Sequence, residues 1–179
     1  MTKWFLSYLD FLLTAIPDIV YIGLLTIFCV VAAVLIAWKG AKAWRWLIGL
    51  LLIEYVFVLF CVTILYRETR DVTVFNYELF WSYQEIAKGI RDDLLPQVIM
   101  NVAVFVPVGI MTGIVTQSLN LRRRWLTVIG LGVALSISIE VLQLLCGKGF
   151  AELDDVFHNS LGCVMGFVIC RSVERWLRR

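Results

Sequence analysis

The sequence predicts an all-α fold, a polytopic bundle of five membrane-spanning helices preceded by an N-terminal amphipathic helix in the membrane interface. Three observations support this prediction. Of the 179 residues, 61% are hydrophobic and only 17% are charged, and the mean hydropathy of +0.87 is far above that of an ordinary soluble domain. Several apolar runs reach the roughly 18–20 residues that a helix needs to span a bilayer. Lysine and arginine are concentrated in alternate connections between these runs.

The first element is an interfacial segment predicted for residues 1–18. Apolar side chains recur at helical spacing from Trp4 to Ile16, with polar residues between them. Pro17 ends this pattern, and Asp18 is a suitable helix N-cap. Another apolar run follows directly, which argues against a cleaved signal peptide. We therefore expect an amphipathic helix that lies in the outer interface.

The transmembrane domain is predicted for residues 19–173, followed by a basic cytoplasmic tail at 174–179. The predicted spans are 19–38, 46–66, 98–116, 125–145 and about 156–173. Glu54 lies near the middle of the second span, and apart from Arg171 at the cytoplasmic end of the fifth, no predicted span contains a lysine or arginine. We expect its carboxyl group to be protonated and hydrogen bonded, because an unpaired charge at that depth is costly.

The distribution of basic residues indicates the orientation of the bundle. The connections at 39–45 and 122–124 are basic, whereas 67–96 contains more acids than bases and 146–155 contains a single lysine. Short connections rich in lysine and arginine stay in the cytoplasm. The sequence therefore predicts a multi-pass protein of the cell membrane with its N-terminus outside and its C-terminus in the cytoplasm.

Polar residues in the last three spans and their connections form the candidate site. In the predicted orientation they all lie near the outer leaflet, and Glu140 and Gln143, three residues apart, share a helix face. Ionisable groups at membrane depth usually face a bundle interior or a wet cavity. The candidate ligand-binding residues are Arg67, Asn101, Glu140, Gln143, Asp154, Asp155 and Asn159.

Two pairs of glycines predict where helices approach each other. Gly109 and Gly113 are four residues apart in the third span, and Gly162 and Gly166 are four apart in the fifth. Small residues at this spacing allow the backbones of membrane helices to come close together. We therefore interpret both pairs as helix-packing positions.

The polar residues occur in a pattern that resembles the VanZ-like membrane proteins. The run from Asn101 to Gly109 is similar to the Asn-x-x-x-Phe-x-Pro-x-Gly helix of that family. A second part of this chain is similar to the family's second conserved block in both order and spacing. It reads Glu140-x-x-Gln143, then Asp154-Asp155-x-x-x-Asn159-x-x-Gly162-x-x-x-Gly166. The resemblance extends over residues 53–167, and the family usually has arginine where Lys148 stands.

The resemblance implies a role in the cell envelope and in antibiotic resistance. The namesake of the family lowers sensitivity to teicoplanin, a glycopeptide with a fatty tail that acts outside the cell. An outward-facing polar site would then engage a membrane lipid, a lipid-linked cell-wall precursor or the lipoglycopeptide itself. Two alternatives remain open. The protein could be an intramembrane acid–base enzyme that uses Glu140 with Asp154 or Asp155 on a lipid-linked envelope substrate, or the cluster could be a purely structural polar network.

Other classes of function find no support in the sequence. The basic clusters are short and juxtamembrane, so no nucleic-acid partner is expected, and we expect no cofactor and no metal site. His158, the single histidine, is interpreted as a hydrogen-bonding partner. The aromatic-rich connection at 67–96 is either a belt at the headgroup level or a lid over the polar site.

Overall fold

The structure, a computed structural model, describes most of the chain after the first predicted span. The described residues are 43–65, 67, 75–91, 93–148 and 150–179, together with Gly23 and Thr26. The interfacial segment predicted for 1–18 and, apart from those two residues, the span predicted for 19–38 lie outside the described residues. The total of five spans and the N-terminal helix therefore remain predictions.

The described residues form an α-helical bundle with two very short strands. In chain order the elements are α1 (Ala43–Phe60), which continues as a π-helical segment (Cys61–Leu65), β1 (Phe75–Asn76), α2 (Trp81–Ala87), α3 (Leu94–Val115), α4 (Leu121–Leu145), β2 (Ala151–Glu152) and α5 (Leu153–Trp176). α1 with its extension, α3, α4 and α5 are each long and apolar enough to cross a membrane. They correspond to the last four predicted spans, which confirms a multi-pass helical protein.

The last three spanning helices begin three or four residues earlier than the sequence predicted. An apolar run marks only the part of a helix inside the hydrocarbon, whereas the backbone hydrogen bonds continue into the polar flanks. At the start of α4, the Asn120 side chain accepts a hydrogen bond from the Arg123 amide over 2.9 Å and caps the helix. α5 continues to Trp176, so Glu174 belongs to this helix although the sequence placed it in the tail.

The close contact between α3 and α5 depends on their glycines. A Cβ atom on Gly109 would lie 2.0 Å from the carbonyl oxygen of Cys163, and a Cβ atom on Gly162 would lie 2.2 Å from that of Val102. No side chain fits at these distances, so the two backbones are in direct contact. The predicted packing role of the glycines is confirmed.

α1 packs against α3 next to a proline. Pro107 lies inside α3 and has no backbone N–H to donate to the Ala103 carbonyl oxygen four residues earlier. The Tyr55 hydroxyl donates a hydrogen bond to the neighbouring Val104 carbonyl oxygen over 2.8 Å. This contact joins α1 to α3 by a side-chain hydrogen bond to the backbone.

A buried ion pair joins α4 to α5 at one end of the bundle. The Arg124 guanidinium donates to both carboxylate oxygens of Glu174, over 3.0 and 2.6 Å, and to the Gly113 carbonyl oxygen over 2.7 Å. Gln117 and Arg171 also donate to this carboxylate. Arg124 is only 3% exposed, although its sequence context suggested an ordinary residue of a basic connection.

Candidate functional site

Asp154 holds the extramembrane segment, which we define as residues 75–91, against α5. Its carboxylate accepts hydrogen bonds from the backbone amides of Phe80 and Ser82 and from the Ser82 hydroxyl. Phe80 is the N-cap of α2 and its side chain provides no acceptor, so Asp154 supplies the cap. Asp154 is 1% exposed, and its role at this position is to dock the segment.

Further contacts fix the extramembrane segment. The Tyr83 hydroxyl and Nε2 of His158 are 2.9 Å apart, as expected for a hydrogen-bonding histidine, and the rings of Phe80 and Phe157 meet edge to face. β1 pairs in parallel with β2. Phe80 has φ of 65°, in the left-handed region that a bulky residue rarely adopts, and these contacts hold it there.

Three carboxyl groups and one guanidinium meet next to this segment. Glu140 interacts electrostatically with Asp155 and Glu152, and Arg67 interacts with each of these three carboxyl groups. We call Arg67, Glu140, Glu152 and Asp155 the acidic cluster. Glu140 is 5% exposed, so much of this charge lies inside the protein.

Hydrogen bonds position the acidic cluster from three sides. The Asn101 amide nitrogen, on α3, donates to Oδ1 of Asp155 over 2.7 Å, and the Gln97 side chain hydrogen bonds to the same carboxyl group. The backbone amide of Glu152 donates to Oε2 of Glu140 over 2.9 Å, which connects β2 to α4. The cluster is therefore built from α3, α4, β2 and α5 together with the residue Arg67 that follows α1.

Two amide side chains border the acidic cluster along its helices, since Gln143 follows Glu140 by three residues on α4 and Asn159 follows Asp155 by four residues on α5. Gln143 donates to the carbonyl oxygen of Thr63 over 3.0 Å, in the π-helical segment where the regular helical hydrogen bonding changes. Asn159 donates to the Ser136 hydroxyl oxygen over 2.8 Å. Oε1 of Gln143 and Oδ1 of Asn159 are buried, and neither has a hydrogen-bond partner among the described residues.

Glu152 lies outside the spanning helices and titrates near neutral pH. Burial raises the pKa of its carboxyl group from an ordinary 4.5 to about 7. The nearby Asp155 carboxylate raises the pKa further, whereas the Arg67 guanidinium opposes both effects. A group with a pKa near 7 can gain or lose a proton under physiological conditions.

The structure brings together most, but not all, of the residues that the sequence singled out. Those in or bordering the acidic cluster are Arg67, Asn101, Glu140, Gln143, Asp155 and Asn159. Asp154 instead faces the extramembrane segment. The sequence interpretation missed Glu152 and Gln97. Gln97 lies four residues before Asn101 on one helix, so their shared face could have revealed it.

The described residues contain no hydrogen-bond partner for Glu54. Both of its carboxyl oxygens are buried, and neither forms a hydrogen bond to any of the described residues. The expected hydrogen bond is thus not found within 43–65, 67, 75–91, 93–148 and 150–179. The first predicted span lies almost wholly outside these ranges.

Comparison with known proteins identifies the family. No curated protein and no solved structure matches the chain. The sequence pattern of the VanZ/LLP1 family matches residues 18–176. This range contains the four described spans, the extramembrane segment and the whole acidic cluster. The chain therefore belongs to the VanZ/LLP1 family.

Proposed function

We propose that this protein binds a lipid-linked or lipophilic ligand of the cell envelope at the outer leaflet, and thereby lowers sensitivity to teicoplanin-type glycopeptides. The observation that carries the proposal is the acidic cluster, which distant parts of the chain assemble at one end of the bundle. Ionisable groups near membrane depth are costly, and proteins commonly retain them for binding or transfer. Membership of the VanZ/LLP1 family supports the link to resistance.

The distribution of arginines supports an outward-facing cluster. Arg122 and Arg123 are exposed at the start of α4, and Arg175 is exposed near the end of α5. The acidic cluster contains Glu140, near the other end of α4, and Asp155, at the start of α5. Because arginine-rich ends stay in the cytoplasm, the acidic cluster is expected on the outer side.

The extramembrane segment suits a lipophilic ligand. Phe75, Tyr77, Phe80 and Tyr83 expose large parts of their rings, and Asp154 docks the segment beside the cluster. Aromatic rings favour the headgroup level of a bilayer, where the polar and apolar parts of a lipid-linked molecule meet. The segment is thus positioned to contact the apolar part of a ligand whose polar part enters the acidic cluster.

The decisive variant is Glu140→Gln. Glutamine keeps the size of the side chain and an oxygen that can accept from the Glu152 amide, but it removes the charge and the exchangeable proton. We expect this variant to lose teicoplanin protection in a susceptibility assay while its abundance in the membrane and its melting temperature in detergent stay close to wild type. Asp93→Asn, at an exposed carboxylate outside both the acidic cluster and the extramembrane segment, is the matched control and should keep full protection.

The competing explanation is that the polar residues only hold the helices together. In that case Glu140→Gln would either leave protection unchanged or lower stability and protection together, because a weakened buried network costs free energy of unfolding. Wild-type protection by a well-folded Glu140→Gln protein would end the proposal that the charge serves an outer-face activity.

The orientation has a test of its own in a natural cysteine. Cys146 is exposed at the end of α4 near the acidic cluster, whereas Cys61, Cys163 and Cys170 are buried. Because Cys29 lies outside the described residues, the test uses a Cys29→Ser background, in which a membrane-impermeant maleimide should label Cys146 in intact cells and Cys146→Ser should remove the signal. Labelling that requires permeabilised cells would place the acidic cluster on the cytoplasmic side and refute the outer-leaflet site.

A further inference from the structure

Three amide side chains in and next to the acidic cluster donate within the protein. The Gln143 amide nitrogen donates to the backbone carbonyl of Thr63, the Asn101 amide nitrogen donates to Asp155, and the Asn159 amide nitrogen donates to the Ser136 hydroxyl oxygen. Because a backbone carbonyl can only accept, the contact with Thr63 also fixes which way the Gln143 amide points. The donors of these three amides thus already have acceptors in the protein.

The groups left over are acceptors. Gln143 is 2% exposed and Asn159 is 5% exposed, and the oxygen of each amide has no hydrogen-bond partner among the described residues. Gln143 shares a helix face with Glu140, so its free oxygen belongs to the same side of α4 as the cluster. Buried polar atoms nearly always have a partner, so each of these oxygens is an acceptor that a donor from a ligand could satisfy.

The charge of the acidic cluster selects a positive partner. Its three carboxyl groups outnumber its single guanidinium, and a bound cation favours their ionised form. Fully ionised, the cluster has three negative charges and one positive charge, a formal net charge of −2. Charges interact strongly where water is largely excluded, so a cation that entered this region would be attracted and an anion repelled. The partner that complements the cluster is therefore both positively charged and a hydrogen-bond donor.

A metal ion is the weaker candidate for this partner. Within the described residues, no three histidine, cysteine, aspartate or glutamate side chains are arranged to hold a metal ion. A primary ammonium group, in contrast, carries one positive charge and three N–H donors on a single small nitrogen. It can meet a carboxylate and an amide oxygen at the same time.

We infer that the acidic cluster binds a primary ammonium group, carried either by the headgroup of an envelope lipid or by a soluble amine. This inference rests on the proposed function, because it specifies the chemistry of the ligand at the same site. The ammonium nitrogen donates to the carboxylates of Glu140 and Asp155 and to the free oxygen of Gln143. The remainder of a lipid ligand extends along the exposed rings of the extramembrane segment.

The test compares two lipids that differ only at the headgroup nitrogen, where three N–H donors are replaced by three methyl groups. Short-chain phosphatidylethanolamine and phosphatidylcholine with the same acyl chains share the phosphate and the positive charge, but the choline nitrogen has no N–H group. We measure the binding of each to the purified full chain in detergent by native mass spectrometry. A lost hydrogen bond to a charged group corresponds to about tenfold in affinity, so phosphatidylethanolamine should bind at least about tenfold more tightly.

Variants of the cluster decide whether the preference arises there. Glu140→Gln should remove the preference for phosphatidylethanolamine. Glu152→Gln, at a partly exposed side chain whose backbone contact to Glu140 is unaffected, should weaken it and serves as a second variant if the first fails to fold. Asp93→Asn, at an exposed carboxylate outside both the cluster and the extramembrane segment, should leave it unchanged.

A soluble probe distinguishes the two sources of the amine. Phosphoethanolamine that competes with the lipid would show that the amine itself is recognised, whereas binding of the lipid alone would assign the ligand to a headgroup. Equal binding of phosphatidylethanolamine and phosphatidylcholine, or tighter binding of anionic phosphatidylglycerol, would overturn the inference. If the preference is missing but Glu140→Gln still abolishes teicoplanin protection, the proposed function stands and only the ammonium ligand is refuted.

Discussion

Replacement of Gly166 by alanine tests whether the contact between the backbones of α3 and α5 holds the bundle together. The added Cβ atom would lie 2.1 Å from the Val106 carbonyl oxygen and 2.9 Å from the Ile110 backbone nitrogen, whereas ordinary contacts begin at 3.4 Å. Both neighbours are backbone atoms, so neither can rotate away. The helices must therefore separate at this level.

The separation has a calculable cost. A gap of about 0.5–1 Å removes a quarter to a half of each dispersion contact across an interface. Overpacking of a well-packed core typically costs about 1–3 kcal/mol, and we expect Gly166→Ala at the upper end of this range because the clash is with backbone. A loss of about 3 kcal/mol corresponds to a decrease in Tm of about 6–12 °C for a chain of this size.

The assay is thermal unfolding of the purified protein in detergent, with Gly130→Ala as the matched control. A Cβ atom on Gly130, in α4, would meet nothing within 4 Å. Alanine is favoured over glycine within a helix by about 0.5–1 kcal/mol, so this control should be as stable as wild type or slightly more stable. A Gly166→Ala protein that melts at or above the wild-type temperature would refute the reasoning.

Three further predictions concern charged residues. Arg124→Met should lower the free energy of unfolding by about 3–5 kcal/mol, because it leaves a buried carboxylate without its main partner, and the double variant with Glu174→Met should recover much of this loss on thermal unfolding. Asp154→Asn should speed hydrogen exchange across residues 75–91, since an amide offers one acceptor oxygen where the carboxylate offers two. The raised pKa of Glu152 stabilises the protein most below pH 4.5, and this contribution is lost as the pH rises through about 7. Glu152→Gln should therefore melt close to wild type at about pH 5 and above it at about pH 8.

Each of these predictions has a control and an outcome that would contradict it. Arg123→Met, an exposed neighbour, should change stability by no more than about 0.5 kcal/mol, and an equal effect of Arg123 and Arg124 would exclude a special role for the buried ion pair. Unchanged exchange in Asp154→Asn would mean that other contacts dock the extramembrane segment. A pH-independent difference between Glu152→Gln and wild type would contradict the titration of Glu152 near neutrality.

The sequence predicted the class of fold because a membrane-spanning helix requires a long run of apolar residues, which can be recognised from the sequence alone. Apolar runs are long, continuous and local, so α3, α4 and α5 could be found without knowledge of their neighbours. The glycine pairs and the polar residues of the candidate site could also be recognised in the sequence, because each of these patterns lies within a single helix or its adjoining connection. Spacing along one helix also predicted that Glu140 and Gln143 share a face.

Only the tertiary structure decided which partner each face meets. Consecutive residues of a helix point about 100° apart, so Asp154 and Asp155 cannot serve the same neighbour. One caps α2 and the other joins the acidic cluster, and nothing in the local sequence distinguishes them.

The same geometry explains the end of the bundle opposite the acidic cluster. Of the three consecutive arginines, only Arg124 is buried. Its side chain points toward α5 and pairs there with Glu174. Sequence periodicity fixes the angle between side chains on one helix. The rotation of that helix relative to its neighbours is set by contacts between residues far apart in the chain, which is why the site's partners became visible only in three dimensions.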